Sequence, residues 1–262
     1  MNQLNRKNII LEKLSKEGTL TISKFADMLQ VSEMTVRRDI SALEKEAKVL
    51  TFYGGVSLNP DYSVDSRVVQ NGENDYCVER ESLCQSAEKN RIANKAASLI
   101  EPSDVLFIDM GSTCQLILDY IDDGPKHIVY TYSLDVFNKC RSKENIRTVL
   151  CGGYFYENTR MFEGPEGILT LENANYNKAF FGTMGITQNG VSVVHSYEVM
   201  TRKASLKTDS QKILLADSTK MGKEWRVTYG EISDFDIIIT DDKISTEHAK
   251  MIEGFGVELI VV

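Results

Sequence analysis

The chain has 262 residues, 42% of them hydrophobic and 26% charged, which suits a soluble fold of one large domain or of a small and a medium one. Its five cysteines (Cys77, Cys84, Cys114, Cys140, Cys151) form no C-x-x-C pair, and no stretch has the apolar length of a signal peptide or membrane span, so a reducing cytoplasm is expected, without disulfide, metal or cofactor. The net charge of −8 is uneven: residues 1–55 hold nine Lys/Arg against seven Asp/Glu, and the other 207 residues hold 21 against 31.

Residues 2–55 read as three helices and a hairpin. The first helix runs from about Asn2 to Lys16, with Leu4, Ile10, Leu11 and Leu14 inward, and stops at Gly18. The second opens at Ser23 as N-cap and places Ile22, Phe25, Ala26 and Leu29 on one face. After a turn at Gln30-Val31, Ser32 caps a third helix that reaches about Lys45. Val49-Leu50-Thr51-Phe52 and Gly54-Gly55 then predict a short β element with a turn.

The third helix has two faces of different chemistry. Val36, Ile40 and Leu43 fall within about 60° of one another and face inward. Met34, Arg38, Ser41 and Lys45 point outward, with Thr35 and Arg37 on the flanks. A polar, basic outer face is what a recognition helix lays in the major groove, where arginine takes guanine and Ser or Thr takes phosphate or base. Ser32, Met34, Thr35, Arg37, Arg38, Ser41 and Lys45, with Tyr53 in the turn that follows, are the expected DNA contacts. A solvated surface helix is the competing reading.

Residues 58–76 carry Asn59-Pro60-Asp61 and Asn71-Gly72 and little periodicity, which marks a linker between a head at 1–57 and a larger domain at 77–262. In that domain Ile92, Ala93, Ala96, Leu99 and Ile100 form a helix face. Seven apolar runs follow, at Val105–Ile108, Ile128–Thr131, Thr148–Cys151, Ala179–Phe181, Ile213–Ala216, Ile237–Ile239 and Leu259–Val262. Continuous runs alternating with helical stretches predict an α/β domain with a mostly parallel sheet, covered on both faces.

Strand ends carry the polar chemistry. Val105–Ile108 leads into Asp109, Gly111, Ser112 and Thr113 ahead of a helix, an arrangement of glycine turn, hydroxyls and helix N-terminus that suits a phosphate. Thr131 and Ser133, Gly152 and Gly153, then Gly182, Thr183 and Gly185 follow the next three strands. Asp217 through Lys220 follow the fifth, with a lysine able to neutralise an anion. In a parallel sheet these ends share one rim, where such sheets bind ligands. Turns and helix caps account for any one of them alone.

The run Val31-Ser32-Glu33-Met34-Thr35-Val36-Arg37-Arg38-Asp39-Ile40, with Gly54-Gly55 beyond it, resembles the N-terminal motif of the DeoR family of repressors, and the second half resembles that family's sensor domain. The wing departs from the family pattern, with Ala47, Thr51 and Tyr53 where Gly, Arg and His are usual. The resemblance implies a winged helix-turn-helix followed by a domain similar to ribose-5-phosphate isomerase, with Asp109 to Thr113, Thr131, Ser133, Gly152, Gly153 and Lys220 lining a phosphosugar pocket. It also implies a contribution from Glu198, Arg202 and Lys203, without deciding between the two cations. An i,i+4 surface pair is the plain reading of Glu198 and Arg202.

Isomerisation would need a carboxylate base beside the substrate. Gly185-Ile186 is followed by Thr187 where many family members have aspartate, and His127, His195 and His248 form no catalytic arrangement, so binding without catalysis is expected. The reading is a repressor of sugar metabolism genes: a homodimer or homotetramer on double-stranded operator DNA, released by a phosphorylated sugar or related metabolite, with no membrane partner. Its rivals are an isomerase-like enzyme with a DNA-binding head, and an activator.

Overall fold

Val36, Ile40 and Leu43 recur at helical spacing, and all three are buried beneath one helix, α3 (Glu33–Lys45). The computed structural model describes residues 6, 7, 9–11, 13, 14, 19–45, 48–52, 55–58 and 78–262. The chain divides into two units, residues 1–75 and 76–262.

In the first unit α3 shares its core with Ile10 and Leu14 of α1 (helical residues within 6–14) and with Phe25, Ala26 and Leu29 of α2 (Ile22–Leu29). Val49 and Val56 close that core from β2 (Val49–Phe52) and β3 (Gly55–Leu58). Helices this short are marginal alone and stand by burying one face. A further strand, β1 (Thr19–Leu20), pairs with β3, so the wing is an antiparallel sheet of order β1-β3-β2. Two residues carry no alternation, and β1 was not expected. Thr21 rather than Ser23 caps α2, its Oγ1 accepting the Lys24 N–H at 3.2 Å.

Gln30 ends α2 in the left-handed region, at φ 54°. Ser32 then caps α3 as predicted, its Oγ accepting the Thr35 N–H at 3.2 Å. Ser32→Ala is expected to lower the stability of this unit by about 1 kcal/mol, read as an earlier urea midpoint. Asp39 points inward from α3, fully buried, and accepts from Arg6 Nε at 2.7 Å and Nη2 at 3.3 Å. This pair ties α1 to α3.

The second unit opens with α4 (Val78–Leu83) and α5 (Ser86–Ala97). All seven apolar runs become strands of one sheet: β4 (Val105–Ile108), β5 (His127–Thr131), β6 (Ile146–Leu150), β9 (Lys178–Gly182), β12 (Gln211–Leu215), β14 (Ile237–Thr240) and β15 (Glu258–Val261). The order is β15-β14-β12-β9-β4-β5-β6, and every neighbouring pair is parallel. Alternate residues feed two cores. Phe107, Ala179, Phe181, Leu214 and Ile238 lie in one, and Leu106, Ile108, Phe180, Ile213 and Ile239 in the other. Both faces are therefore covered, which is why the runs are continuously apolar.

The helices are α6 (Leu134–Cys140), α7 (Pro165–Glu172), α8 (Tyr197–Leu206) and α9 (Thr246–Glu253). Five short strands lie outside the main sheet: the hairpin β7 (Tyr154–Tyr156) and β8 (Met161–Glu163), and the antiparallel group β10 (Gly185–Thr187), β11 (Gly190–Val193) and β13 (Val227–Gly230). From β4 the chain lays strands outward to β6. It then returns beside β4 as β9 and builds the other way to β15. The reversal falls between β4 and β9, where a parallel sheet opens a crevice at its carboxyl edge.

The linker expected at 58–76 lies, apart from Leu58 in β3, outside the described residues. Among the described residues no helix is long and apolar enough to cross a membrane.

Candidate functional site

Packing Val36, Ile40 and Leu43 inward leaves the other face of α3 to solvent. Met34 is 75% exposed, Ser32, Arg37, Arg38, Ser41 and Lys45 are exposed, and Thr35 is half-buried. Arg37 lies 3.6 Å from Glu33, one turn away, with both side chains largely in water. Such a pair contributes little and leaves the guanidinium free to change partner. In the wing, the Thr51 hydroxyl donates to Glu44 at 2.5 Å, so it serves the end of α3. Tyr53, expected to touch DNA, and Ala47 lie outside the described residues.

A crevice opens at the carboxyl ends of the three central strands, β4, β9 and β12. The loop after β4 supplies Gly111, Ser112 and Thr113, and the end of β9 supplies Gly182 and Thr183. Asp217 and Lys220 come from a 3-10 turn after β12, Glu198 and Arg202 from α8, Glu81 from α4 and Lys89 from α5. Gly111 has φ 120°, a conformation that a side chain would strain. The helix expected after Thr113 is a 3-10 segment, Cys114–Asp119, with Cys114, Ile117 and Leu118 buried. These three stand at i, i+3 and i+4, so a spacing that predicts an α-helix is taken up here by the tighter 3-10 form. Loop backbone, hydroxyls and lysines, rather than the end of a long helix, therefore face the crevice.

Beneath the crevice lies a buried charged cluster. Arg202 donates through Nε to Asp109 at 2.9 Å, pairs with Glu198 one turn earlier, and sits 5.2 Å from the ring centroid of Tyr229. Asp109 also accepts from the Met110 N–H at 2.7 Å, the Gly182 N–H at 3.0 Å and the Tyr132 hydroxyl. Glu198 accepts the His195 N–H at 3.0 Å. Burial opposes the charge on Arg202, but Asp109 and the groups around it hold its pKa above the ordinary arginine value. Burial, reinforced by Asp109, pushes the Tyr132 phenol and the Cys114 thiol well up, so both stay protonated. Glu198 and Arg202 are thus an interior pair, not a surface one.

Two lysines of the crevice are also buried. Burial lowers the pKa of Lys89, against the support of Glu81 and Asp217. Burial would raise Glu81, but its bond to Lys220 and the charges of Lys89 and Lys223 hold it below the usual carboxylate range.

Several expected residues stand elsewhere. Asp109 is 0% exposed and turned toward Arg202, outside the crevice wall. Thr131 accepts the Ser133 N–H at 3.0 Å, and Ser133 caps α6 by accepting from Val136. Gly152 and Gly153 follow β6, two strands from β4. At about 4.8 Å per strand, that loop sits roughly 10 Å from the central ends. Gly153 has φ 150°, and a side chain there would strike the Glu163 carbonyl. Gly185 opens β10 against the Lys223 carbonyl, and Lys203 is exposed on the outer side of α8. Of the two cations at 202 and 203, only Arg202 lines the crevice. Asp39, Glu81 and Lys89 were not anticipated. Among the described residues, no three His, Cys, Asp or Glu side chains gather to hold a metal ion.

Comparison with known proteins gives matches along most of the chain. The DeoR-like helix-turn-helix domain matches residues 6–61, and the DeoR C terminal sensor domain matches residues 84–242. The lactose phosphotransferase system repressor of Lactococcus lactis is 34% identical over 250 residues, covering 95% of this chain and 94% of the relative. The transcriptional regulator IolR of Bacillus subtilis is 30% identical over 240 residues, 91% of each chain. The solved structure of ribose 5-phosphate isomerase A from Methanocaldococcus jannaschii aligns at TM-score 0.38 and 14% identity, over 52% of this chain and 54% of that one, a likeness too slight to carry argument.

Proposed function

The chain belongs to the DeoR family of transcriptional regulators, and from that membership we propose that it represses sugar-metabolism genes, holding operator DNA through α3 until a phosphorylated sugar enters the crevice. The observation that supports this most is the crevice itself. Ser112 and Thr113 hydroxyls, loop backbone and the Lys220 ammonium meet at the carboxyl ends of adjacent central strands. Hydroxyls and glycine amides suit phosphate oxygens, and the buried lysine suits their charge.

The pocket binds and does not catalyse. Of the carboxylates lining the crevice, Glu198 is committed to Arg202 and a backbone N–H, Glu81 to Lys220 and Lys89, and Asp217 to Thr219, while Asp109 beneath it is held by Arg202 and backbone N–H groups. Release follows only if the sugar phosphate prefers the arrangement that has let go of DNA, since equal affinity shifts nothing. One three-helix head reads few base pairs, so a homodimer or homotetramer on repeated half-sites supplies operator specificity.

A thermal-shift screen of phosphorylated sugars and polyols, followed by operator release with the best hit, tests the reading. The double variant Ser112→Ala, Lys220→Ala should lose that shift while keeping operator affinity. Two hydrogen bonds to a charged group are worth roughly 3 kcal/mol together, about a hundredfold in affinity. An undiminished affinity in the double variant, or an equal response to the unphosphorylated sugar, would sink the pocket assignment.

A further inference from the structure

Glu81 is the crevice residue that least suits a phosphate sensor. Like charges a few ångström apart repel, so a pocket for an anion should keep carboxylates out. Yet Glu81 Oε2 lies 2.8 Å from Lys220 Nζ and 3.7 Å from Lys89 Nζ. Lys89 Nζ also donates to the Glu81 carbonyl at 2.5 Å. Lys220 is 8% exposed and Lys89 1%, and buried ammonium groups need anionic partners. The enclosed free space beside them is about 30 Å³, room for about two water molecules.

We propose that Glu81 is an internal stand-in for phosphate: its carboxylate holds the anion position between Lys89 and Lys220, and a sugar phosphate binds by displacing it and lifting α4 from the crevice. This rests on the effector reading above and adds Lys89 as a second phosphate ligand. A phosphate monoester brings close to two negative charges and three acceptor oxygens. It can satisfy both ammonium groups at once, where one carboxylate oxygen stands close to one and farther from the other. It cannot share the position with Glu81.

The segment that must move is lightly held. Six residues do not sustain a helix alone. Among the described side chains, and apart from the Glu81 contacts, α4 is anchored by buried Val78, whose N–H bonds to the Asn158 carbonyl at 3.1 Å, and by Gln115 reaching the Ser82 hydroxyl at 3.5 Å. It is also the first described element after the stretch joining the two units. Displacing it frees the chain on the effector side of that stretch, which gives the ligand a route to act on the head.

The test uses the full chain and inorganic phosphate as probe. Glu81→Gln keeps size and hydrogen bonding while removing the competing charge. Calorimetric titration should show phosphate binding about tenfold tighter in this variant, as when a competent state rises from a tenth to full population. In the wild-type protein, hydrogen exchange across residues 78–83 should quicken as phosphate is added, while the loop at 111–113 slows. Equal or weaker binding by Glu81→Gln, or exchange at 78–83 that slows or stays constant, overturns the displacement and leaves the pocket standing. Phosphate binding to neither protein removes the anion site, and the proposal with it.

Discussion

Replacing Arg38 with Ala is expected to weaken operator binding about 10- to 100-fold at physiological salt, while the thermal shift given by the effector stays unchanged. Arg38 is exposed on the face of α3 opposite Val36, Ile40 and Leu43, near the helix start, where recognition helices reach base edges. A bidentate arginine–guanine contact carries about 1–3 kcal/mol of discrimination, which sets the range. The measurement is a titration against the duplex that the wild-type protein selects from random sequence. Salt dependence separates two forms of contact. Loss of a base contact relaxes preference at one position. Loss of a phosphate contact weakens all sequences alike and reduces the salt slope by about one. Full operator affinity in Arg38→Ala would remove α3 as the reading element. Arg37, already beside Glu33, should cost less.

The main sheet was readable because its central strands are buried on both faces, and continuous apolar runs are the direct consequence. The five strands outside it gave no such signal. Tyr154 in β7 is 76% exposed, and Gly185–Thr187 is too short to show alternation. Lys89 did leave a trace: it lies three residues before Ile92 on the face that continues through Ala93 and Ala96, and all four are buried. A helix face that starts on a lysine is a sign of a buried cation. Glu81 left none, since its partner Lys220 is 139 residues away. The rim was read as one site because all the strand ends share an edge. The crevice opens at the central three, while Thr131 and Ser133 accept backbone N–H groups at the start of α6 and Gly153 packs against the Glu163 carbonyl. Asp109 has the right residue type in the right loop, but its direction is set by Arg202, 93 residues on.

Arg202→Met should cost the effector unit about 3–5 kcal/mol, the usual loss when one member of a buried ion cluster is removed and its partners stay behind. Arg202 is 2% exposed, and both Asp109 and Glu198 are buried against it. Methionine fills much of the volume, so the loss reports two stranded carboxylates more than a cavity. The chain's single tryptophan, Trp225, is half-buried in this unit, and its fluorescence follows unfolding here. Lys203→Met, on the exposed side of the same helix, is the control and should stay within about 0.5 kcal/mol. Adding Glu198→Gln to Arg202→Met should recover part of the loss, because one stranded charge is gone and contacting residues are not additive. A loss below about 1 kcal/mol in Arg202→Met would mean that water reaches Asp109 and Glu198, and that Arg202 is free to turn toward a ligand. A large loss with partial recovery would fix Arg202 as the floor on which the crevice loop at 111–113 is built.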